Sequence, residues 1–247
     1  MDLKLSVAVD SAAAFRRLGD GRQPSTVSVA LLAEMAGTDW ISYDLRSSDR
    51  TDSERDARLL RACLGGRLDL TVASGPDLLD LAFSIRPDRL TLAPERRDGA
   101  AIHGGVDAHM VTDSLKKRIV HLHDAGIKVG VRIEPELEQI KALHRCEADL
   151  GVVMCGAYAR AKDGREAALE LTRISDAVAL AHRLSLKCAI AGPLDLIRVE
   201  ALSGVTHLDE VQVGHSCMAL SLLRGVDQAV QDFMQAIARG RRRSFNA

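Results

Sequence analysis

The sequence predicts a single α/β domain folded as a closed (βα)8 TIM barrel around a parallel eight-stranded core. Three observations carry that expectation. Short β-type runs alternate with helical periodicities eight times, with no hairpin signal between successive strands; alternation of this kind means parallel strands joined by crossover helices. A length of 247 residues suits one such barrel and is ample for its core. The turn after the first strand, Asp10-Ser-Ala-Ala-Ala14, lacks the Gly-x-Gly-x-x-Gly pattern usual in an open doubly wound sheet.

The elements follow in order. Leu3 to Asp10 alternates, then turns polar, and is the first strand. Ser25 to Gly37 is helical, with Leu31, Leu32 and Met35 on one face and Gly37 as a stop. Trp40 to Leu45 is the second strand. Thr51-Asp-Ser-Glu54 matches a capping box that opens a helix to Leu64. Leu68 to Ala73 is the third strand, and Pro76, in a first turn, starts a helix to Ile85. Arg89 to Ala93 is the fourth. The connection from Pro94 to Asp107 exceeds the usual βα length and carries Gly99, Gly104 and Gly105, which suits a lid over the barrel mouth. A helix runs from about His109 to Ala125 and stops at Gly126. Lys128 to Ile133, Leu150 to Met154, Leu186 to Ala191 and Val211 to Val213 are the remaining strands. Pro135 to Arg145, Asp163 to Leu184 and Leu194 to Leu202 are the helices between them. Past the last strand, Ser216 is expected as the N-cap of a helix that continues beyond Gly225 to about Ala238. Residues 1–247 are expected to form one domain, with 239–247, bearing Arg239-Gly-Arg-Arg-Arg243, as a flexible basic tail.

Composition narrows the function classes. A net charge of −1 provides no global field to recruit nucleic acid or an acidic membrane. The first residues lead directly into a strand pattern, with no signal peptide, and no apolar run reaches a membrane span. Five scattered cysteines with no Cys-x-x-Cys pair imply a reducing, cytoplasmic setting and no structural zinc.

In a barrel of this type function lies at the carboxyl ends of the strands. Those ends offer Asp10; Asp44 and Arg46; Thr71; Glu95 with Arg96; Arg132 and Glu134; Met154, Cys155 and Gly156; Gly192; Gly214 and His215. The last unit is the most informative. Strand, Gly214 and helix in immediate succession make an anion cup, because glycine admits close approach and the first helical amides are unpaired at a positive dipole end. His215 and Ser216 stand at its rim. Asp10 and Asp44 end neighbouring strands. Facing one another they form a carboxylate pair suited to acid–base work; otherwise they are salt-bridged to Arg16, Arg46 or Arg50. Arg46 and Arg50 are themselves either oxyanion clamps or surface partners of Asp49 and Asp52. Cys155 and Cys217 lie just past strand ends, and His215 is placed to serve Cys217 as a base; the competing reading is a pair of small buried thiols. No histidine spacing suits a metal, since His121 and His123 splay around a helix. Neither metal nor cofactor is expected.

At these strand ends the chain resembles the pyridoxine 5′-phosphate synthase family. The similar segments are Val7-Ala-Val-Asp10 with Arg16, Tyr43-Asp-Leu-Arg46 with Arg50, Ala93-Pro-Glu-Arg96, Gly104-Gly-Val-Asp107, Cys155-Gly-Ala-Tyr158, Ala191-Gly192 and Val213-Gly-His215. They run in register along nearly the whole chain. The resemblance implies a TIM barrel assembled as an octamer, without a metal. It also implies condensation of 1-deoxy-D-xylulose 5-phosphate with 3-amino-2-oxopropyl phosphate beneath a lid after the fourth strand. On the matching positions Gly192, Gly214 and His215 would bind phosphate, and Asp10, Arg16, Arg46, Arg50 and Glu95 would line the mouth.

The departures fall on the chemistry. Ala8 and Ser11 stand where the family's first strand has Asn and His, and Asp44 replaces the His of His-Leu-Arg. Thr71 replaces a Glu, Val152 and Met154 replace a Glu and a His, and Pro193 replaces the His of Ala-Gly-His. One placed acid–base group is worth roughly 10²–10⁴ in rate. The expectation is a phosphorylated small-molecule binder with weak or absent synthase turnover. The alternatives are a different enzyme using Asp44 or Asp10, and a non-catalytic homo-oligomeric paralogue that regulates or co-assembles with a true synthase.

Overall fold

The computed structural model describes residues 2–19, 21, 23–45, 50–73, 76–94 and 104–245, with the backbone alone for 76–78, 244 and 245. Eight parallel strands close into a barrel in sequence order. They are β1 (Lys4–Ala8), β2 (Trp40–Leu45), β3 (Arg67–Ala73), β4 (Arg89–Ala93), β5 (Lys128–Ile133), β6 (Leu150–Met154), β7 (Lys187–Ala191) and β8 (Glu210–Val213). Around them lie α1 (Asp10–Arg16), α2 (Thr26–Met35), α3 (Arg50–Cys63), α4 (Pro76–Ile85), α5 (Thr112–Asp124) and α6 (Leu137–Arg145). The ring is completed by α7 (Gly156–Arg160), α8 (Gly164–Arg183), α9 (Leu196–Leu202), α10 (His215–Arg224) and α11 (Val226–Phe245). The closed parallel barrel is the fold that the alternation of elements implies.

Each strand is buried on both faces, and the two faces differ in chemistry. Leu5, Val7, Ile41, Leu68, Leu70, Leu90, Leu92, Val129 and Val131 point outward into one continuous core with the helices. The alternate positions fill the barrel, and many are polar: Ser6, Ser42, Asp69, Thr91, Arg89, Glu210 and Gln212 are buried. Polar side chains survive there because they pair with one another. Arg89 donates to Glu210 through Nη1 and Nη2 at 2.9 and 2.7 Å and to Asp69 through Nε at 2.9 Å. Inside β6 and β7 the filling is instead apolar, a small cluster of Leu150, Val152, Met154, Ala189 and Ala191.

One device recurs four times at the amino-terminal end of the barrel. The Asp preceding each even strand accepts a hydrogen bond from the second amide of the preceding odd strand: Asp39 from Leu5, Asp88 from Leu68, Asp149 from Val129 and Asp209 from Cys188, at 2.7–2.9 Å. Each Asp amide donates back to that same residue's carbonyl. Charge-assisted bonds of this kind fix the stagger between neighbouring strands, and with it the heights of the side chains at the far, functional end.

Several boundaries depart from the sequence reading. Asp10 begins a short helix rather than ending a strand. Thr51 lies within α3, which starts at Arg50, so the segment Thr51–Glu54 is not a capping box. Ser216 is not an N-cap: Gly214 holds that position, Ser216 falls inside α10, and the helix ends at Gly225, after which α11 begins anew. Helix α7 was not anticipated. Asp163 does cap α8, accepting from the Glu166 amide at 2.8 Å. Of the basic segment expected as a flexible tail, residues 239–245 continue α11, and 246–247 lie outside the described residues. Arg239 and Arg243 pair with Glu200 at 2.7 Å, and Arg241 donates to the carbonyls of Val205 and Leu208. Among the described residues no helix is long and apolar enough to cross a membrane.

Candidate functional site

A cavity of about 260 Å³ opens at the carboxyl ends of the strands. Three larger cavities lie elsewhere among the described residues, about 580 Å³ between α8, α9 and α11, and about 550 and 340 Å³ at the amino-terminal end of the barrel. None is lined by the strands' carboxyl ends, where function sits in barrels of this kind.

One wall of the mouth cavity is backbone. Gly192, directly after β7, has φ of +144°, a conformation that a Cβ would strain, and its carbonyl accepts from the Leu194 amide at 2.8 Å in a tight turn. Across from it Gly214 precedes α10. The first bond of that helix runs from the Met218 amide to the Gly214 carbonyl, so the amides of His215, Ser216 and Cys217 have no intrahelical acceptor. A Cβ on Gly214 would approach that of Ala8 to 3.1 Å. Gly192, Gly214 and His215 all line the one cavity, and His215 is exposed at its edge. Such a wall can hold an oxyanion by backbone donors and helix dipole, with no cationic side chain.

The floor is apolar towards β6 and β7, where Met154, Ala191 and Pro193 line it, polar at Ser42 of β2 and charged towards β5. Arg132 reaches across the interior from β5. Its Nη2 lies 3.5 Å from Asp44 Oδ1 on β2 and 3.3 Å from Thr71 Oγ1 on β3. Both members are mostly buried, with side chains 12% and 11% exposed. The Arg132 Nε is buried and has no hydrogen-bond partner among the described residues. Glu134, one residue past β5, also lines the cavity. Burial holds its pKa above the usual carboxylate range, although the Gly105 amide donates to it and offsets part of that rise. Arg160, on α7, completes the charged rim.

The end of the strand-four connection is part of this wall, not a free flap. The Val106 amide donates to the Arg132 carbonyl at 2.7 Å, and a Cβ on Gly105 would sit 2.2 Å from Ile133 Cα. Gln139 accepts from the amides of Ala108 and His109 and donates to Asp107. The remainder of the expected lid, 95–103, lies outside the described residues.

The proposed site residues therefore divide. Gly192, Gly214 and His215 come together at one cavity; Ser216 is the next residue of α10. Asp44 meets Arg132, whereas Asp10 opens α1 within electrostatic range of Tyr43, a side chain packed on the helical side of β2. Arg16 is not available at the mouth. It is 4% exposed, pairs with Asp56 at 2.7 Å and donates to Thr26. Asp44 thus has an ion pair with Arg132, and Arg16 one with Asp56. Arg50 opens α3 on the exposed surface. Arg46 and Glu95 lie outside the described residues. Burial pushes the Cys217 thiol up to about 12 and raises Cys155 further, which makes them packed thiols, not nucleophiles. The sequence reading placed Arg132 and Glu134 at a strand end but gave them no role, and it missed Arg160. The signal for Arg132 was a cation in an interior-facing position after the apolar run Val129-Gly-Val131 of β5.

A family model described as pyridoxal phosphate biosynthesis protein PdxJ matches residues 5–239. The chain belongs to the PdxJ family. A pyridoxine 5′-phosphate synthase of Desulforapulum autotrophicum is 36% identical over 95% of this chain and 98% of its own length. The protein of that name from Geotalea uraniireducens is 33% identical with the same coverage. Among solved structures, that of Amycolatopsis orientalis BexX/CysO superposes with a TM-score of 0.67 at 13% identity, over 99% of this chain and 92% of the other. At that identity the likeness concerns the fold alone. The protein is thus a member of a vitamin B6 biosynthesis family.

Proposed function

We propose that this PdxJ-family protein binds a phosphorylated small molecule at the Gly192–Gly214 wall and has weak or absent pyridoxine 5′-phosphate synthase turnover. The observation that carries the reading is the contrast between the two halves of the mouth. The backbone donors of an anion cup are in place after β7 and β8. The interior beside them, on β6 and β7, presents Val152, Met154, Ala189 and Ala191, none of which moves a proton. Ring closure requires repeated proton transfers. Loss of even two positioned groups costs on the order of 10⁴ in rate or more. Backbone donors do not depend on side-chain identity, so anion binding outlives such replacements.

Two measurements test the halves separately. Calorimetric titration with inorganic phosphate is expected to show binding that Gly214→Asp, which places a carboxylate beside Ala8, removes. Assay with 1-deoxy-D-xylulose 5-phosphate and 3-amino-2-oxopropyl phosphate is expected to give turnover at least about 10⁴-fold below that of a 33–36% identical relative. Turnover comparable to that relative's would overturn the lost-chemistry half; absence of phosphate binding would overturn the other.

A further inference from the structure

We infer that Arg132 is a second anion clamp and that the ligand of the mouth is a small phosphorylated carboxylic acid, held at its phosphate by the Gly192–Gly214 wall and at its carboxylate by the guanidinium. The inference rests on the phosphate wall proposed above and adds the other end of the ligand.

The first ground is an unmet hydrogen-bonding demand. A guanidinium carries five N–H donors in a planar fork. Among the described residues, the hydrogen bonds made by Arg132 engage Nη2 alone, at 3.5 Å to Asp44 and 3.3 Å to Thr71. Charge-assisted pairs normally close to about 2.7–2.9 Å, so Asp44 neutralises the cation without saturating it. Its Nε is buried with no partner among the described residues, an arrangement that costs stability unless something fills it. A carboxylate binds such a fork through two parallel bonds, whereas water cannot match both directions and the charge together.

The second ground is where the fork lies. Arg132 stands on β5 and the phosphate wall follows β7 and β8, and both line the same cavity of about 260 Å³. Between them Met154 and Ala191 offer apolar contact and no hydrogen bond. That order, oxyanion wall, apolar stretch, guanidinium, matches a molecule with anionic groups at both ends and a short carbon chain. The volume lies below the roughly 300–1,000 Å³ of drug-sized sites, which limits the chain to a few carbons.

Arg132 also explains why Asp44 is tolerated inside the barrel. A buried carboxylate without a partner is costly. The Asp44–Arg132 pair spans from β2 to β5, and of the two it is Arg132 that lines the cavity.

The test compares 3-phosphoglycerate with glycerol 3-phosphate, which replaces the carboxylate by a hydroxymethyl group, in calorimetric titrations of the full chain. Inorganic phosphate is the control for the wall. The wild type is expected to bind 3-phosphoglycerate at least about tenfold more tightly than glycerol 3-phosphate. Arg132→Met should abolish that preference and leave inorganic phosphate affinity within about twofold, and Arg132→Lys, which keeps the charge but not the fork, should retain only part of it. Circular dichroism confirms that each variant is folded; should Arg132→Met not fold, the wild-type comparison and Arg132→Lys decide. Phosphate binding without preference for the acid would overturn this inference alone and leave the wall standing; it would mean that the guanidinium is satisfied within the protein. A preference that persists in both variants would also overturn it. If neither phosphate nor either ester binds, both readings fall.

Discussion

Replacing Arg89 by methionine would remove the one cation between two buried acids. Arg89 is 4% exposed, and Asp69 and Glu210 are 0% and 3% exposed. The guanidinium makes a two-pronged contact with Glu210 and a further bond to Asp69, and it lies 4.1 Å from the centre of the Trp40 ring. With both acids ionised, the cluster holds one negative charge in excess. Burial raises the Asp69 pKa despite Arg89 and the Thr91 hydroxyl, which favour its charged form. Taking the cation away leaves two carboxylates facing each other in the barrel interior. Breaking a buried pair in this way typically costs about 3–5 kcal/mol, and protonation of one acid returns part of it. Arg89→Met should therefore lose about 3–5 kcal/mol at pH 7 in urea unfolding followed by far-UV circular dichroism, with a smaller loss near pH 5. Asp69→Asn removes the excess charge while keeping an acceptor for Thr91, and should cost below about 1 kcal/mol. The sign of its pH effect follows from the raised pKa. The native state binds the proton more tightly than the unfolded chain, so stability falls as pH rises from the ordinary aspartate range through the folded value. Asp69→Asn should flatten that fall. A loss under about 1 kcal/mol for Arg89→Met, or a larger loss for Asp69→Asn than for Arg89→Met, would refute this account of the barrel interior.

Thiol chemistry gives a rapid check on the packing. Cys63 is exposed and Cys146, Cys155, Cys188 and Cys217 are buried, so a thiol reagent should modify one cysteine quickly in the native protein and all five after denaturation; two or more fast native thiols would contradict it. Glu134→Gln should raise the melting temperature at pH 7 and leave it unchanged below about pH 4, because the raised pKa of Glu134 makes its ionised form a destabilising one; an equal shift at both pH values would remove that argument. Gly105→Ala should cost about 1–3 kcal/mol in urea unfolding, since its Cβ would fall 2.2 Å from Ile133 Cα and force the Val106–Arg132 bond apart. The exposed Ile197, Leu222 and Leu223, at 81%, 69% and 83%, form apolar surface of the kind that assembly covers. Light scattering should give a mass above that of one chain, and Leu223→Glu should lower it.

Local signals were sufficient for most of the elements. β2, β4, β5, β6 and α4 begin and end where the apolar runs, prolines and glycines place them, because turn chemistry and burial on both faces act over a few residues. Eight alternations then left little choice but a barrel. The glycines after β7 and β8 were legible for the same reason: a tight turn before a helix needs them whatever lies around it. What the chain order concealed was pairing across the barrel. Nothing near Arg16 in the sequence points to Asp56, forty positions on, nor from Arg132 to Asp44, eighty-eight positions back. Ion pairs of this type are set by strand stagger and by which residues face the closed interior, and both exist only once β8 has met β1. The same closure buried Cys155 and Cys217, took Arg16 out of the mouth and put Arg132 into it.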